Sequence, residues 1–285
     1  MEKFAFARKA PWFLAAAMAS AFGFGVSAAK SAELLPHRAV YDMKLAEVSS
    51  GTAIENATGR LVFELTGSAC DGFIMNTRLV LDTQIGANST VLNDFQSSTW
   101  ENVVDQEFRF LSKDFVNREL NEEIDGTADR SSGTISVSLT SPEERTVDVD
   151  GRALFPVQHI FKLIETAKNG DTIFQSYLYD GTDGGDKVYN TTAIIGSRID
   201  DLSSLSEAAP VDAELEDVPA WPITMSYFDE TSEDALAGLP IYEISFRIFE
   251  NAITRDLILD YGEFKLEGQM TDIEIYERAD CQLDQ

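Results

Sequence analysis

The chain has 285 residues, 44% of them hydrophobic, enough for one or two domains with a real core and too apolar for a disordered polyanion. With 49 Asp plus Glu against 22 Lys plus Arg, its formal charge is −27, which repels nucleic acid, anionic membrane surfaces and acidic polymers. Neutral, cationic or protein partners remain.

The first element reads as an export signal. Lys3, Arg8 and Lys9 make a basic head, Pro11 to Val26 an apolar run, and Val26-Ser27-Ala28-Ala29 offers small residues to signal peptidase. Removing residues 1–29 leaves 19 basic and 48 acidic residues, a net charge of −29, in one expected domain at 30–285. No later stretch approaches the roughly 18 apolar residues of a spanning helix, so the exported chain is expected to be soluble. No Cys stands immediately after the cleavage site, which argues against a lipoprotein.

From there period two dominates. Alternating runs predict strands at 37–46, 58–66, 72–84, 89–101, 105–112, 114–121, 133–140 and 145–150, then at 171–179, 185–195, 221–229, 241–249 and 253–261. In the run at 241–249, Tyr242, Ile244, Phe246 and Ile248 share one face, and Glu243, Ser245 and Arg247 the other. Turn chemistry at Asp71-Gly72, Asp125-Gly126, Asp150-Gly151, Gly181 to Gly185 and Tyr261-Gly262 predicts local, antiparallel connections. In the last strand Phe264, Leu266 and Met270 hold one parity, but Ile273 and Ile275 hold the other, so one extra residue near Thr271 predicts a β-bulge. One segment reads as a helix, opening at Pro156 and closing at Asn169-Gly170, with Ile160, Phe161, Leu163, Ile164 and Ala167 as its apolar stripe. The fold class is therefore mainly β: about fourteen antiparallel strands in a curled sheet, with one helix as plug or lid, because so large a twisted sheet must close, split or be covered.

The stretch 199–220 is rich in Ser, Ala, Asp and Glu and reads as an acidic, mobile loop. No Lys or Arg falls between Arg198 and Arg247, so this flank is strongly negative: a solvated face, or a surface for a basic partner or divalent cations.

Candidate chemistry is sparse. Cys70 and Cys281 are the two cysteines, and an oxidising compartment favours pairing them; a metal pair lacks neighbouring His or Cys, and a redox pair lacks C-x-x-C spacing. A bridge closing so long a loop would constrain the unfolded chain by about 5 kcal/mol. Asp180, Asp183 and Asp186 stand at three-residue intervals in a glycine-rich turn, a weak metal candidate. A calcium loop needs ligands at one, three and five and a Glu at twelve, where this chain has Thr191, so a hairpin with exposed acids is expected. His37 and His159 fit no metal spacing and are read as structural. The chain has no G-x-S-x-G elbow, P-loop or G-x-G-x-x-G. Neither cofactor nor catalytic residue is assigned.

Longer motifs carry a resemblance. Pro36-His-Arg-Ala-Val-Tyr-Asp42, Thr58-Gly-Arg-Leu-Val-Phe-Glu64 with Gly67-Ser-Ala-Cys70, Glu107-Phe-Arg-Phe110 with Lys113-Asp-Phe115, and Phe155-Pro-Val-Gln-His159 resemble the EipB-like cell-envelope integrity proteins of Gram-negative periplasms. Trp221-Pro-Ile-Thr-Met-Ser-Tyr-Phe-Asp229, Gly238-Leu-Pro-Ile-Tyr242, Ile253-Thr-Arg-Asp-Leu257 and Asp260-Tyr-Gly-Glu-Phe264 continue it in the same order. The resemblance implies a β-spiral, a long antiparallel sheet coiled into an open barrel-like body, partly like periplasmic lipoprotein carriers. It also implies a Cys70–Cys281 disulfide, a periplasmic location, support of envelope integrity and no established enzymatic activity. The acidic stretch at 199–218 is longer than the family pattern.

Three functions are compatible with these residues. The first is non-enzymatic docking to a periplasmic protein, with a helical-repeat protein of the tetratricopeptide type as one candidate partner. The second is a carrier that holds a lipid or lipoprotein acyl chain against inward-facing residues such as Leu61, Phe63, Leu65 and Phe246. The third is a hydrolase of an envelope component using His37 or His159. Docking is placed first and the carrier second.

Overall fold

The computed structural model describes residues 34–279 and 281, apart from 87, 88, 132, 201–214, 216 and 230–237. The expected export signal at 1–29 and most of the acidic stretch lie outside the described residues.

Fourteen strands form one sheet. They are β1 (His37–Val48), β2 (Ile54–Ser68), β3 (Gly72–Ile85), β4 (Ser89–Asn102), β5 (Glu107–Val116), β6 (Glu119–Ser131), β7 (Thr134–Ser141) and β8 (Arg145–Asp150). After helix α1 (Pro156–Lys168) come β9 (Ile173–Leu178), β10 (Tyr189–Ile195), β11 (Ala220–Phe228), β12 (Tyr242–Phe249), β13 (Thr254–Asp260) and β14 (Phe264–Ile275).

The strand order is β8-β7-β6-β5-β4-β3-β2-β1-β14-β13-β12-β11-β10-β9. Every strand therefore pairs antiparallel with its neighbours in sequence except at one place. β1 pairs with β14, so the two ends of the domain meet in the middle of the sheet. β8 and β9 are the two edges, and α1 connects them. Joining them would close an up-and-down barrel. Instead Leu154 makes an isolated parallel bridge to Leu178, and the sheet is not closed. The helix occupies the interior beside that seam. Its Val157, Leu163, Ile164 and Ala167 share a core with Leu65 and Phe73 from β2 and β3 and with Ile195, Ile223, Met225 and Ile248 from β10 to β12.

Local sequence explains the helix ends. Pro156 occupies the first turn, where its missing N–H costs no hydrogen bond, and Gly170 takes φ +83° just beyond Asn169. The bulge also falls at the expected residue: Val40 faces Asp272 and Tyr41 faces Met270, which leaves Thr271 as the extra residue. Cys70, in the β2–β3 turn, is bonded to Cys281, tying the tail to an early hairpin across 211 positions.

The strands expected at 105–112 and 114–121 and one turn are corrected: β5 runs unbroken through residue 113 to Val116. Asp125-Gly126 lies inside β6 rather than in a turn, and the reversal between β5 and β6 is at Asn117-Arg118, both left-handed at φ 53° and 71°. Asn117 is held there by β4: its N–H donates to the Leu92 carbonyl at 2.8 Å, and its Oδ1 accepts from the Leu92 N–H at 3.1 Å. Gly126 serves packing instead, since a Cβ would come within 2.7 Å of the Phe110 ring and 2.9 Å of Leu139. The expected acidic loop is also only part loop. Ile199 bridges to Ala220, and Leu215 is buried in the core.

Candidate functional site

The inward parity of the strands and the position of α1 leave a cavity of about 420 Å³, within the roughly 300–1,000 Å³ range of ligand pockets. One wall is Phe63, Met75 and Phe95 from β2 to β4; the other is Met225, Ile244, Phe246 and Ile248 from β11 and β12. Ile160 and Leu163 of α1 line it from the helix side. Polar groups are few: Thr77, Ser97, Thr99, His159, Asp180, Thr182, Tyr227 and Thr254. A smaller outer-face concavity holds Arg78 and Lys113, but Asp94 and Glu123 already pair with those cations.

The helix is fixed at its N-terminus by a buried carboxylate. Glu101 of β4 accepts the N–H groups of Val157 at 2.6 Å and Gln158 at 3.0 Å, two donors that no residue within the helix can satisfy. Burial pushes Glu101 up to about 7, against the pull of these hydrogen bonds and of the Arg130 charge. Arg130 of β6 completes the anchor, donating to Gln158 Oε1 at 3.2 Å and to the Ala153 carbonyl, with its guanidinium 5.0 Å from the centre of the Phe155 ring. None of this was visible in the sequence, where Glu101 is one acid among many.

The three glycine-turn acids do not converge. Asp180 lines the cavity, half-buried, and its Oδ1 accepts the Thr182 N–H at 3.0 Å and hydroxyl at 2.7 Å. Asp183 accepts from Tyr189 and lies 3.5 Å from Lys187, while Asp186 pairs with Arg145 at 2.9 Å. The expectation of a hairpin with exposed acids is therefore corrected for Asp180, which the turn directs inward. Among the described residues no group of three His, Cys, Asp or Glu has metal-binding geometry. Burial pushes the Asp180 carboxyl upward, and its charge adds to burial in raising the phenols of Tyr189, Tyr227 and Tyr242. Those tyrosines belong to an aromatic row. Tyr189 meets Tyr227 edge-on with centroids 6.1 Å apart, and Tyr227 stacks on Tyr242 at 4.3 Å.

Of the two histidines, His159 lines the same cavity as Asp180. His37 is buried on β1 with Nδ1 2.7 Å from the Leu35 carbonyl. His159 is buried on α1, with Nε2 3.1 Å from Thr191 Oγ1. Thr191 Oγ1 also lies 3.0 Å from the Ser176 carbonyl and 3.1 Å from Ser176 Oγ, so the hydroxyl sits in a small polar network with the ring. Burial lowers His159 to about 4, which keeps the ring neutral at pH 7.

An antiparallel sheet coiled around an apolar cavity, unclosed at one seam and carrying one internal helix, defines a barrel-like β protein. The EipB-like family model matches residues 28–277, and the chain belongs to that family. It is 35% identical over 260 residues to the cell envelope integrity protein EipB of Brucella abortus (strain 2308), covering 91% of each chain. A solved Brucella abortus structure, described as a beta-barrel-like protein of domain of unknown function DUF1849, superposes with a TM-score of 0.78. That match is 34% identical and covers 86% of this chain and 99% of the other. Among the described residues no helix is long and apolar enough to cross a membrane.

Proposed function

We propose that this chain supports cell-envelope integrity as a non-enzymatic periplasmic protein, and that it does so by holding the acyl chain of a lipid or lipoprotein. Membership of the EipB-like family supports the envelope role and the periplasmic location, consistent with the amino-terminal export signal in the sequence. The observation that carries the binding reading is the cavity: about 420 Å³ with two apolar walls and an apolar helix face, which a β core filled by its own side chains would not leave. The sequence reading put docking before carriage; the cavity is the support for putting carriage first here.

Docking to a protein partner keeps a specific observation in its favour. Ile173 and Ile194 are cross-strand partners at the β9 edge of the sheet and are 56% and 53% exposed. An apolar pair beside an uncompleted sheet edge suits a partner that covers it.

Native mass spectrometry of the mature protein purified from periplasm tests the carrier reading. The expected result is an adduct of lipid mass, released by organic extraction and absent from a Met75→Trp variant whose indole fills the cavity. A bare protein that also fails to take up any alkyl-chain probe would contradict it.

A further inference from the structure

Among the described residues that line the cavity Asp180 is the one acid, and no Lys or Arg lines it. The other ionisable side chains there, His159 and Tyr227, are neutral at pH 7, because burial lowers the imidazole and raises the phenol. The two hydrogen bonds that Asp180 receives from Thr182 fall on one oxygen, and the charge acting on it from outside that turn contact is that of Asp183, of like sign. Burial and the Asp183 charge both push this carboxyl toward its protonated form, so a cationic group seated against it is what would hold it ionised. The Tyr227 ring lines the cavity with Tyr242 stacked on it at 4.3 Å, and such electron-rich rings attract positive charge. The net charge of −29 on residues 30–285 draws cations toward the protein and repels anions.

We infer that the cavity selects amphiphiles with a cationic head, an alkyl chain ending in a primary amine that seats against Asp180 and the Tyr227 ring. This rests on the chain-binding reading above and adds to it the chemistry of the head group. A fatty acid would bring a second carboxyl against Asp180, and the pair could hold only one negative charge between them, so binding would cost a proton uptake that the amine does not require. A neutral alcohol would hydrogen-bond to Asp180 without compensating its charge.

The test is calorimetric titration of dodecylamine, 1-dodecanol and dodecanoate into the mature protein at pH 7, each below its micellar concentration. The amine is expected to bind tightest and dodecanoate weakest, with about tenfold between them. Asp180→Asn keeps the oxygen that Thr182 contacts and removes the charge. It is expected to reduce the amine's advantage over the alcohol to within about twofold, with a melting temperature close to the parent's as the sign that the fold is intact. Dodecanoate binding as tightly as the amine, or an amine preference that survives Asp180→Asn, would overturn the inference. Failure of all three probes to bind would instead defeat the chain-binding reading beneath it.

Discussion

Glu101, buried, and Asp180, half-buried, are both carboxylates that desolvation pushes upward, yet the fold uses them differently. Glu101 is saturated from within: both oxygens receive N–H groups from the start of α1, and Arg130 adds its charge. Asp180 receives only its own turn, on one oxygen, and lines the cavity. The lesson is that burial alone does not distinguish a structural acid from a binding one. What distinguishes them is whether the protein supplies the partners.

Breaking the anchored end should have the largest effect on stability. Glu101 faces Phe73 of β3, close to the Cys70–Cys281 bridge, so helix cap and disulfide hold the same end of the sheet. Replacing both cysteines with Ser is expected to cost about 2–5 kcal/mol in urea denaturation while leaving the order of head-group preference unchanged. Glu101→Ala strands two helix N–H groups and is expected to cost about 3 kcal/mol. Asp180→Asn should stay within about 1 kcal/mol of the parent, because its acceptor oxygen is retained.

The pH dependence of stability separates Glu101 from His159. Between pH 4.5 and 7 the native state holds more protons at Glu101 than the unfolded chain does, so this residue makes stability fall as pH rises. Between pH 4 and 6.5 the unfolded chain holds more protons at His159, so that residue makes stability rise with pH. The two oppose each other where the windows overlap. Relative to the parent, Glu101→Gln should gain up to about 3 kcal/mol from pH 4.5 to 7, and His159→Gln should lose a similar amount from pH 4 to 6.5. Urea midpoints measured across both windows check the signs. Parallel curves for parent and variants would contradict the assignment.

The smallest effect belongs to the outer face. Arg78 is bonded to Asp94 at 2.8 Å, but the arginine side chain is 57% exposed. Arg78→Ala is expected to change stability by no more than about 1 kcal/mol and chain binding not at all.

The strands were legible because an unclosed meander repeats the same inside-outside alternation along nearly every run, and even the Thr271 bulge betrayed itself by a change of parity. The helix was legible from Pro156 and Gly170. The β5–β6 reversal was not, because its left-handed residues are Asn117 and Arg118, while the glycine that looked like a turn serves the Phe110 ring. The site was least legible of all. Asp180 looks like any acid in a glycine-rich turn, and only the unclosed β8–β9 seam, with α1 beside it, shows that this turn faces a cavity. Tyr189, Tyr227 and Tyr242 lie on three strands, and no local pattern announces that they form a row.

On the carrier reading the space between α1 and the two sheet walls holds an apolar chain. Titrating 1-dodecanol into the parent and into Met75→Trp tests it most directly, with thermal melting to show that the variant is folded. One saturable site in the parent, lost in a variant that melts normally, is the predicted result. Equal binding by both proteins would place the chain elsewhere and contradict the account.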